Sequence, residues 1–504
     1  MDTKSLLEDV RADSLKEVLG FETKSGAERF DALFSRKLST NIEELKKRQQ
    51  VLVTYKQSST KTLQNAAFFG EIKQIEATLE TILHPTSLEK ESMEQILFAG
   101  TSPFQILNTI PFFLFCISLW KQFVVPVLAI CMPLFFFLAP FLTMKYYYSL
   151  PISFSDYTKI FCVTLGIPSS LETLQWKQTF QLAFTSISLG QSIYQPIQTS
   201  FHVQTIDADL QEKSRALLQL KSVFEALYPD HSALFEDIQH EDPYRSFAAA
   251  WDLPYRIQIA LWMIGDMEVI HRVASCPLLQ PVRFQKRGFV KMTTLMNPLL
   301  ENAKPISFVL TPKRSHCLVT GPNGGGKSTV LRCILLNTLF AQTLGVCFGQ
   351  EGGTYLYDPF DWIQSGLHLE DLPGKLSLFE REVEFASQAL HRARKNPTQR
   401  GFLLFDELFH STNPPDGERT ARIFLEQIWA FPHLSSMIST HVFSLAESSP
   451  PNIQKLCVPA IQDKMGTISF SYTLKAGICK VSSVDLVLQK CGFFPPGKPE
   501  VGKE

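Results

Sequence analysis

The sequence lacks an excess of charge of either sign. Lysine and arginine number 48 against 49 aspartate and glutamate, a net charge of −1. That excludes a chain holding nucleic acid by bulk positive charge, but not one with a local basic face. CxxC pairs are absent too. Ten cysteines stand scattered at 116, 131, 162, 276, 317, 333, 347, 457, 479 and 491. This spacing offers neither a zinc cluster nor a redox pair, and ten thiols in 504 residues make no disulfide framework. Buried, reduced thiols in a cytosolic setting are expected. The sequence shows no internal repeat and no low-complexity tract. The opening MDTKSLLEDVRADS has no apolar run, so no secretory signal is expected.

What is present suits a large folded protein. Hydrophobic residues make up 45% and charged residues 19%, too apolar a balance for a disordered chain. At about 100–200 residues per domain, the length suggests roughly three domains. Residues 1–102 read as the first part of a helical core; Ile42, Leu45, Val51, Leu52 and Tyr55 share one stripe of a helix. Residues 149–275 read as its second part, a core or lever, with leucines at heptad-like spacing in 205–235. From 276 to 496 the pattern becomes strand, loop, helix, strand, an α/β domain, followed by a tail at 497–504.

Between the helical parts, residues 103–148 change character. Phe123–Met144 runs 22 residues without a charge, and Pro103–Trp120 runs 18. The longer run reaches the length of a bilayer crossing. Lys145 and Tyr146–Tyr148 follow it like an interfacial belt. A transmembrane hairpin is expected, turning at Lys121-Gln122; the alternative is a buried helical pair in a soluble core.

Three motifs carry chemistry. Gly321, Pro322, Asn323, Gly324, Gly325, Gly326, Lys327, Ser328 and Thr329 form a phosphate loop after an apolar strand and before a helix. Its glycines let backbone N–H groups point at phosphate oxygens. Lys327 would reach the β- and γ-phosphates of ATP, and Ser328 would ligate Mg²⁺. In Gly401–Glu407, four apolar residues run into two acids, a buried strand delivering carboxylates to its end. Asp406 would hold Mg²⁺ and Glu407 would polarise the attacking water. Thr440-His441 closes another strand, where His441 would sense the γ-phosphate or the water.

Together these segments resemble the MutS family of DNA mismatch-repair ATPases. The phosphate loop is close to the family's, with Gly324 in place of a customary methionine. Asp406-Glu407-Leu408, Thr412 and Asp416-Gly417 are similar to its acids and coupling loop. Ser377-Leu378-Phe379 with Glu382 resembles its signature segment, which implies that Ser377 acts on the partner subunit's nucleotide. Gly477 and Ser482–Gly492 resemble its closing helix. Thr23-Lys24-Ser25-Gly26, Arg48-Gln49, Gly265-Asp266 and Asn297–Glu301 resemble its core and the segment before the nucleotide site, more weakly.

The resemblance begins near residue 22, and the family's mismatch-reading and connector domains are not found. Phe409-His410-Ser411 replaces a Gly-Arg-Gly stretch. The resemblance implies an α/β P-loop ATPase domain of ABC-like, MutS type behind an all-α core or lever domain that contains the apolar hairpin. It implies a Mg-dependent ATPase that dimerises through its ATPase domains, with DNA as a candidate ligand. The hairpin adds a lipid bilayer as partner and membrane association with the soluble mass in the cytosol or an equivalent reducing compartment. Alternatives are a soluble family accessory, a membrane-located ATPase with no DNA ligand, a transporter ATPase and a non-hydrolysing scaffold. Phe308 is a candidate for stacking on the adenine, with no further role assigned to it.

Overall fold

The computed structural model describes residues 3–36, 38–58, 67–98, 103–164, 176–239, 242–286, 288–368, 377–462 and 468–480. The expected closing helix at Ser482–Gly492 and the tail lie outside the described residues. The chain forms two compact units: Met1–Phe69 with Ile264–Glu504, and Gly70–Met263. Residues 1–69 thus group with the α/β region, although their pattern reads as part of the helical core.

Among the described residues twelve α-helices precede the α/β region. They are α1 (Thr3–Asp9), α2 (Ala12–Leu19), α3 (Lys24–Arg36), α4 (Ile42–Ser58), α5 (Phe68–Leu83) and α6 (Ser87–Met93). Next come α7 (Phe113–Leu119), α8 (Val125–Leu142), α9 (Phe154–Thr164), α10 (Trp176–Leu227), α11 (Pro243–Asp252) and α12 (Pro254–Ser275).

The strands begin with β1 (Leu279–Pro281), β2 (Arg283–Phe284), β3 (Val290–Leu295), β4 (Ile306–Leu310) and β5 (His316–Thr320). After α13 (Lys327–Thr343) come β6 (Val346–Phe348), β7 (Tyr355–Tyr357) and β8 (Trp362–Gly366). Helices α14 (Leu378–Lys395), α15 (Pro414–Trp429) and α16 (Phe443–Glu447) alternate with β9 (Gly401–Phe405), β10 (Leu434–Ser439) and β11 (Gln454–Cys457). Strands β12 (Ala460–Gln462), β13 (Ile468–Phe470) and β14 (Lys475–Ala476) close the described part.

The main sheet has the order β14-β11-β5-β10-β9-β8, parallel except for β14. Every residue of β5, β9 and β10 is buried. That is why these strands read as continuous apolar runs and not as an alternation. Cys317, Val319, Phe402, Leu404 and Met437 face one core with α13. Leu318, Leu403, Phe405 and Ile438 face a second core with α14 and α15. A smaller sheet, β2-β7-β3-β4, packs into the α13 core.

The weakly matching N-terminal segments of this unit are joined by one buried acid. Glu268 on α12 accepts hydrogen bonds from the backbone N–H of Glu22 at 2.8 Å and of Thr23 at 3.2 Å, and from the Thr23 hydroxyl at 2.5 Å. Arg29 forks onto Asp266 with two bonds of 2.7 Å. A Cβ at Gly265 would sit 2.8 Å from the Ser25 backbone, so α12 and the start of α3 meet without room for a side chain.

In the second unit the expected hairpin is corrected. Gln105–Thr109 is a 3₁₀ turn, and Lys121 and Gln122 lie in a π-helical turn (Trp120–Val124) inside one unbroken helical run, Phe113–Tyr147. The chain does not reverse at Lys121-Gln122. Apolar composition signals a long helix, but one Lys-Gln pair is too weak a breaker to end it.

The helix lying antiparallel to this run is the first half of α10. Ser200 Oγ donates to Gln122 O at 2.6 Å and Ser118 Oγ to Asp207 Oδ1 at 2.9 Å. No Asp, Glu, Lys or Arg stands between Lys177 and Asp207. Phe180, Phe184, Ile187, Tyr194 and Phe201 are exposed on α10, as are Phe123, Leu134, Phe135 and Phe136 on the apolar run.

Glu268→Ala should lower stability by about 2–4 kcal/mol, because the Thr23 hydroxyl proton and the Glu22 and Thr23 N–H groups lose their acceptor. Chemical denaturation midpoints of the two proteins measure this.

Candidate functional site

Parallel strands leave their loops at one edge, so β5, β9 and β10 bring the three sequence motifs together. Gly321–Gly326 forms the loop after β5, and Lys327, Ser328 and Thr329 make the first turn of α13. Gly324 and Gly326 take φ of +75° and +97°, where a side chain would be strained. A Cβ at Gly325 would stand 2.9 Å from Pro322 O, whereas one at Gly324 would meet nothing within 4 Å. The loop is therefore tight against itself and open on its outer side.

Lys327 is 4% exposed, and its Nζ donates to Gly321 O at 3.0 Å and Pro322 O at 3.2 Å. The same Nζ lies 3.8 Å from Glu407 Oε1. Burial pushes the Lys327 ammonium below the ordinary lysine value, and the nearby Glu407 and Asp406 carboxylates oppose that shift.

Asp406 and Glu407 follow β9 directly. Ser439, the last residue of β10, ties them together. Its hydroxyl donates to Asp406 Oδ1 and accepts the Glu407 N–H at 2.9 Å. Glu407 itself has φ +50°, an uncommon backbone state for a side-chain-bearing residue. Ser439 carries no role in the sequence reading; a hydroxyl residue ending an apolar strand beside Thr-His is the signal that was available.

Thr440 is buried, and its N–H donates to Val319 O at 3.0 Å. His441 follows at the same sheet edge, exposed. Ser377 caps α14: it donates to Glu380 Oε2 at 3.0 Å and accepts the Glu380 N–H at 3.3 Å, a capping box. Thr412 is half-buried before α15, and Asp416 is exposed in the first turn of that helix.

A cavity of about 480 Å³ opens beside the loop, lined among others by Asn297, Leu299, Ile306, Gly324, Gly326 and Tyr472. Tyr472 was not foreseen as a site residue. It is half exposed, with ring atom Cδ1 3.2 Å from where a Gly326 Cβ would stand. Phe308 is buried in the core and does not line this cavity.

Residues 317–496 match the family model of MutS domain V. Within that region fall the phosphate loop, both acids, Ser377 and His441. The "DNA mismatch repair protein MutS" of Streptococcus equi subsp. equi (strain 4047) is 31% identical over 175 residues, 34% of this chain and 20% of the relative. The protein of the same name from Bacillus mycoides (strain KBAB4) is 26% identical over 317 residues, 59% of this chain and 33% of the relative. That of Listeria monocytogenes serotype 4b is 30% identical over 172 residues, 34% of this chain and 19% of the relative. These matches make residues 317–496 similar to MutS domain V, and the chain spans about a fifth to a third of the length of these curated relatives.

The residues present fit a nucleotide and a divalent cation. A buried ammonium lies among loop carbonyls, a glycine cradle opens outward, and two carboxylates and the hydroxyl-bearing Ser328 share one edge. Because the Lys327 value sits below 10.5, its charge is lost as pH rises through that lowered value. Nucleotide affinity should weaken at a lower alkaline pH than an ordinary lysine would impose, and above that pH binding should take up a proton. Calorimetry in buffers of different ionisation enthalpy reads both.

Proposed function

We propose that this chain is a Mg-dependent ATPase of MutS type. The observation that carries the reading is Lys327 Nζ at 3.8 Å from Glu407 Oε1 under the phosphate loop, with Ser439 tying Glu407 to Asp406. Lys327 would hold the β- and γ-phosphates in place of its present loop carbonyls. Ser328 and Asp406 would hold Mg²⁺, which when bound offsets the charge on the phosphate oxygens. Glu407 would orient the attacking water and take its proton, and His441 would sense the γ-phosphate or the water. Tyr472 would stack on the base in the cavity next to the loop. Thr412 and Asp416 would couple the acids to α15. Ser377 would act across a homodimer joined through the ATPase regions. DNA is the proposed ligand of that dimer, because the relatives are mismatch-repair proteins by name.

A membrane anchor is the second part of the reading, favoured by the exposed apolar run. The helix Phe113–Tyr147 is long and apolar enough to cross a bilayer. Its uncharged part, Phe123–Met144, would reach about 33 Å at 1.5 Å per residue, against roughly 30 Å of hydrocarbon. The first half of α10 lies antiparallel beside it and would bring the chain back to the side it came from.

Lys327→Ala should abolish ATP binding. Glu407→Gln should keep binding and lower turnover by about 10²–10⁴-fold, and turnover at the parental rate would remove Glu407 as the base. The parental assay with duplex, mismatched and branched DNA tests the ligand: stimulation keeps DNA, and indifference to every form removes it. The anchor is tested separately, by extracting membranes that contain the full chain. Retention through alkaline carbonate with release by detergent is the expected result, and a chain that washes off with carbonate alone is not an anchored one.

A further inference from the structure

The three residues that replace the family's Gly-Arg-Gly stretch all fasten to one helix. Phe409 is buried, with its ring 6.2 Å from that of Phe379 on α14 and 6.0 Å from Phe424 on α15. Ser411 Oγ donates to Glu382 Oε2 at 2.6 Å. His410 Nδ1 stands 2.9 Å from Glu382 Oε1. Glu382 lies in the second turn of α14 and is 1% exposed, so the loop supplies donors to both oxygens of a buried carboxylate. The same His410 nitrogen is 2.9 Å from the backbone carbonyl of Glu407. Both of its partners are acceptors, so Nδ1 carries the hydrogen.

This fastening sits where the backbone needs it. Glu407 and Phe409 take φ of +50° and +53°, and such states persist only where surrounding contacts over-determine them. A glycine at 409 would adopt that conformation without strain but would bring no ring to hold the loop. Here the place of flexibility is taken by a buried ring and two side-chain donors. The far side is closed as well: a Cβ at Gly417 would stand 2.6 Å from Phe409 O.

We propose that loop 409–411 and α14 move as one piece, and that Glu382, His410 and Ser411 are positioning residues for Glu407. The inference rests on the reading of Glu407 as the base of the ATPase. Since Ser377 caps the same helix five residues before Glu382, a shift at the start of α14 reaches the Glu407 peptide through two hydrogen bonds and one ring contact. The signature helix and the base are thereby linked within one subunit.

The test uses the full chain, with ATP as the probe and kcat, KM, ATP affinity and melting temperature as readouts. His410→Ala and Ser411→Gly should each lower kcat on the order of ten- to a hundredfold, the scale of an ångström-sized misplacement. ATP affinity should stay within about twofold of the parental value, because uniform binding is untouched. His410→Arg should restore most of the lost kcat, because a guanidinium N–H can reach the same carboxylate. A structural role alone would lower the melting temperature without splitting kcat from KM. The proposal is overturned if the folded His410→Ala and Ser411→Gly proteins turn over at the parental rate, if KM changes and kcat does not, or if His410→Arg is no better than alanine. Glu407→Gln assayed alongside separates the two failures. A stalled Glu407→Gln with unaffected loop variants removes the fastening alone. A Glu407→Gln that turns over normally removes the base and the fastening with it.

Discussion

Parallel pairing of β5, β10 and β9 is the constraint on which the rest depends. Parallel strands buried on both faces cannot close by tight hairpins, so each must be followed by a crossover, and every loop of one kind leaves at one edge. The phosphate loop, the two acids and Thr440-His441 are far apart along the chain. They meet because each terminates a strand of the same sheet. Ser439 completes the arrangement, since only the last residue of the middle strand can offer a hydroxyl to the end of its neighbour.

Helix α13 extends this arrangement into the body of the unit. Its start carries Lys327. Its far end is held by α4, where Arg48 donates to Thr343 O at 2.8 Å and Gln49 to Gly345 O at 2.5 Å. Basic and amide donors at a helix C-terminus satisfy carbonyls that have no partner within the helix. The Arg-Gln pair therefore has a structural reason to stand at that spacing on α4. It also explains why residues 1–69 group with the α/β region and not with the helices that follow them in sequence.

The second unit shows where composition misleads. Scarcity of charge marked residues 103–148 as apolar, and that reading stands in the exposed run Phe113–Tyr147. It did not say where the chain turns. Lys121 does not break the helix; its long side chain lets Nζ reach Gln95 O. The antiparallel partner, the first half of α10, is less apolar by composition. It is recognisable mainly by its lack of charged residues and by its hydroxyl contacts to the apolar run.

By itself the sequence determined the chemistry-bearing segments and their order: the glycine-rich loop, the strand ending in Asp406-Glu407, and the strand ending before Thr440-His441. Each is a local pattern, in which the residue types and their spacing along a few positions state the physics. Only the tertiary structure decided which groups tune them. Ser439 meets Asp406 across 33 residues, and Ser411 meets Glu382 across 29. Tyr472 reaches Gly326 from a strand-end loop near the close of the described chain. Such contacts depend on which strands are neighbours and where loops return, and no periodicity along one segment encodes that. The left-handed backbone at Glu407 and Phe409 belongs to the same class: side-chain-bearing residues adopt it only where neighbours from other elements hold them there.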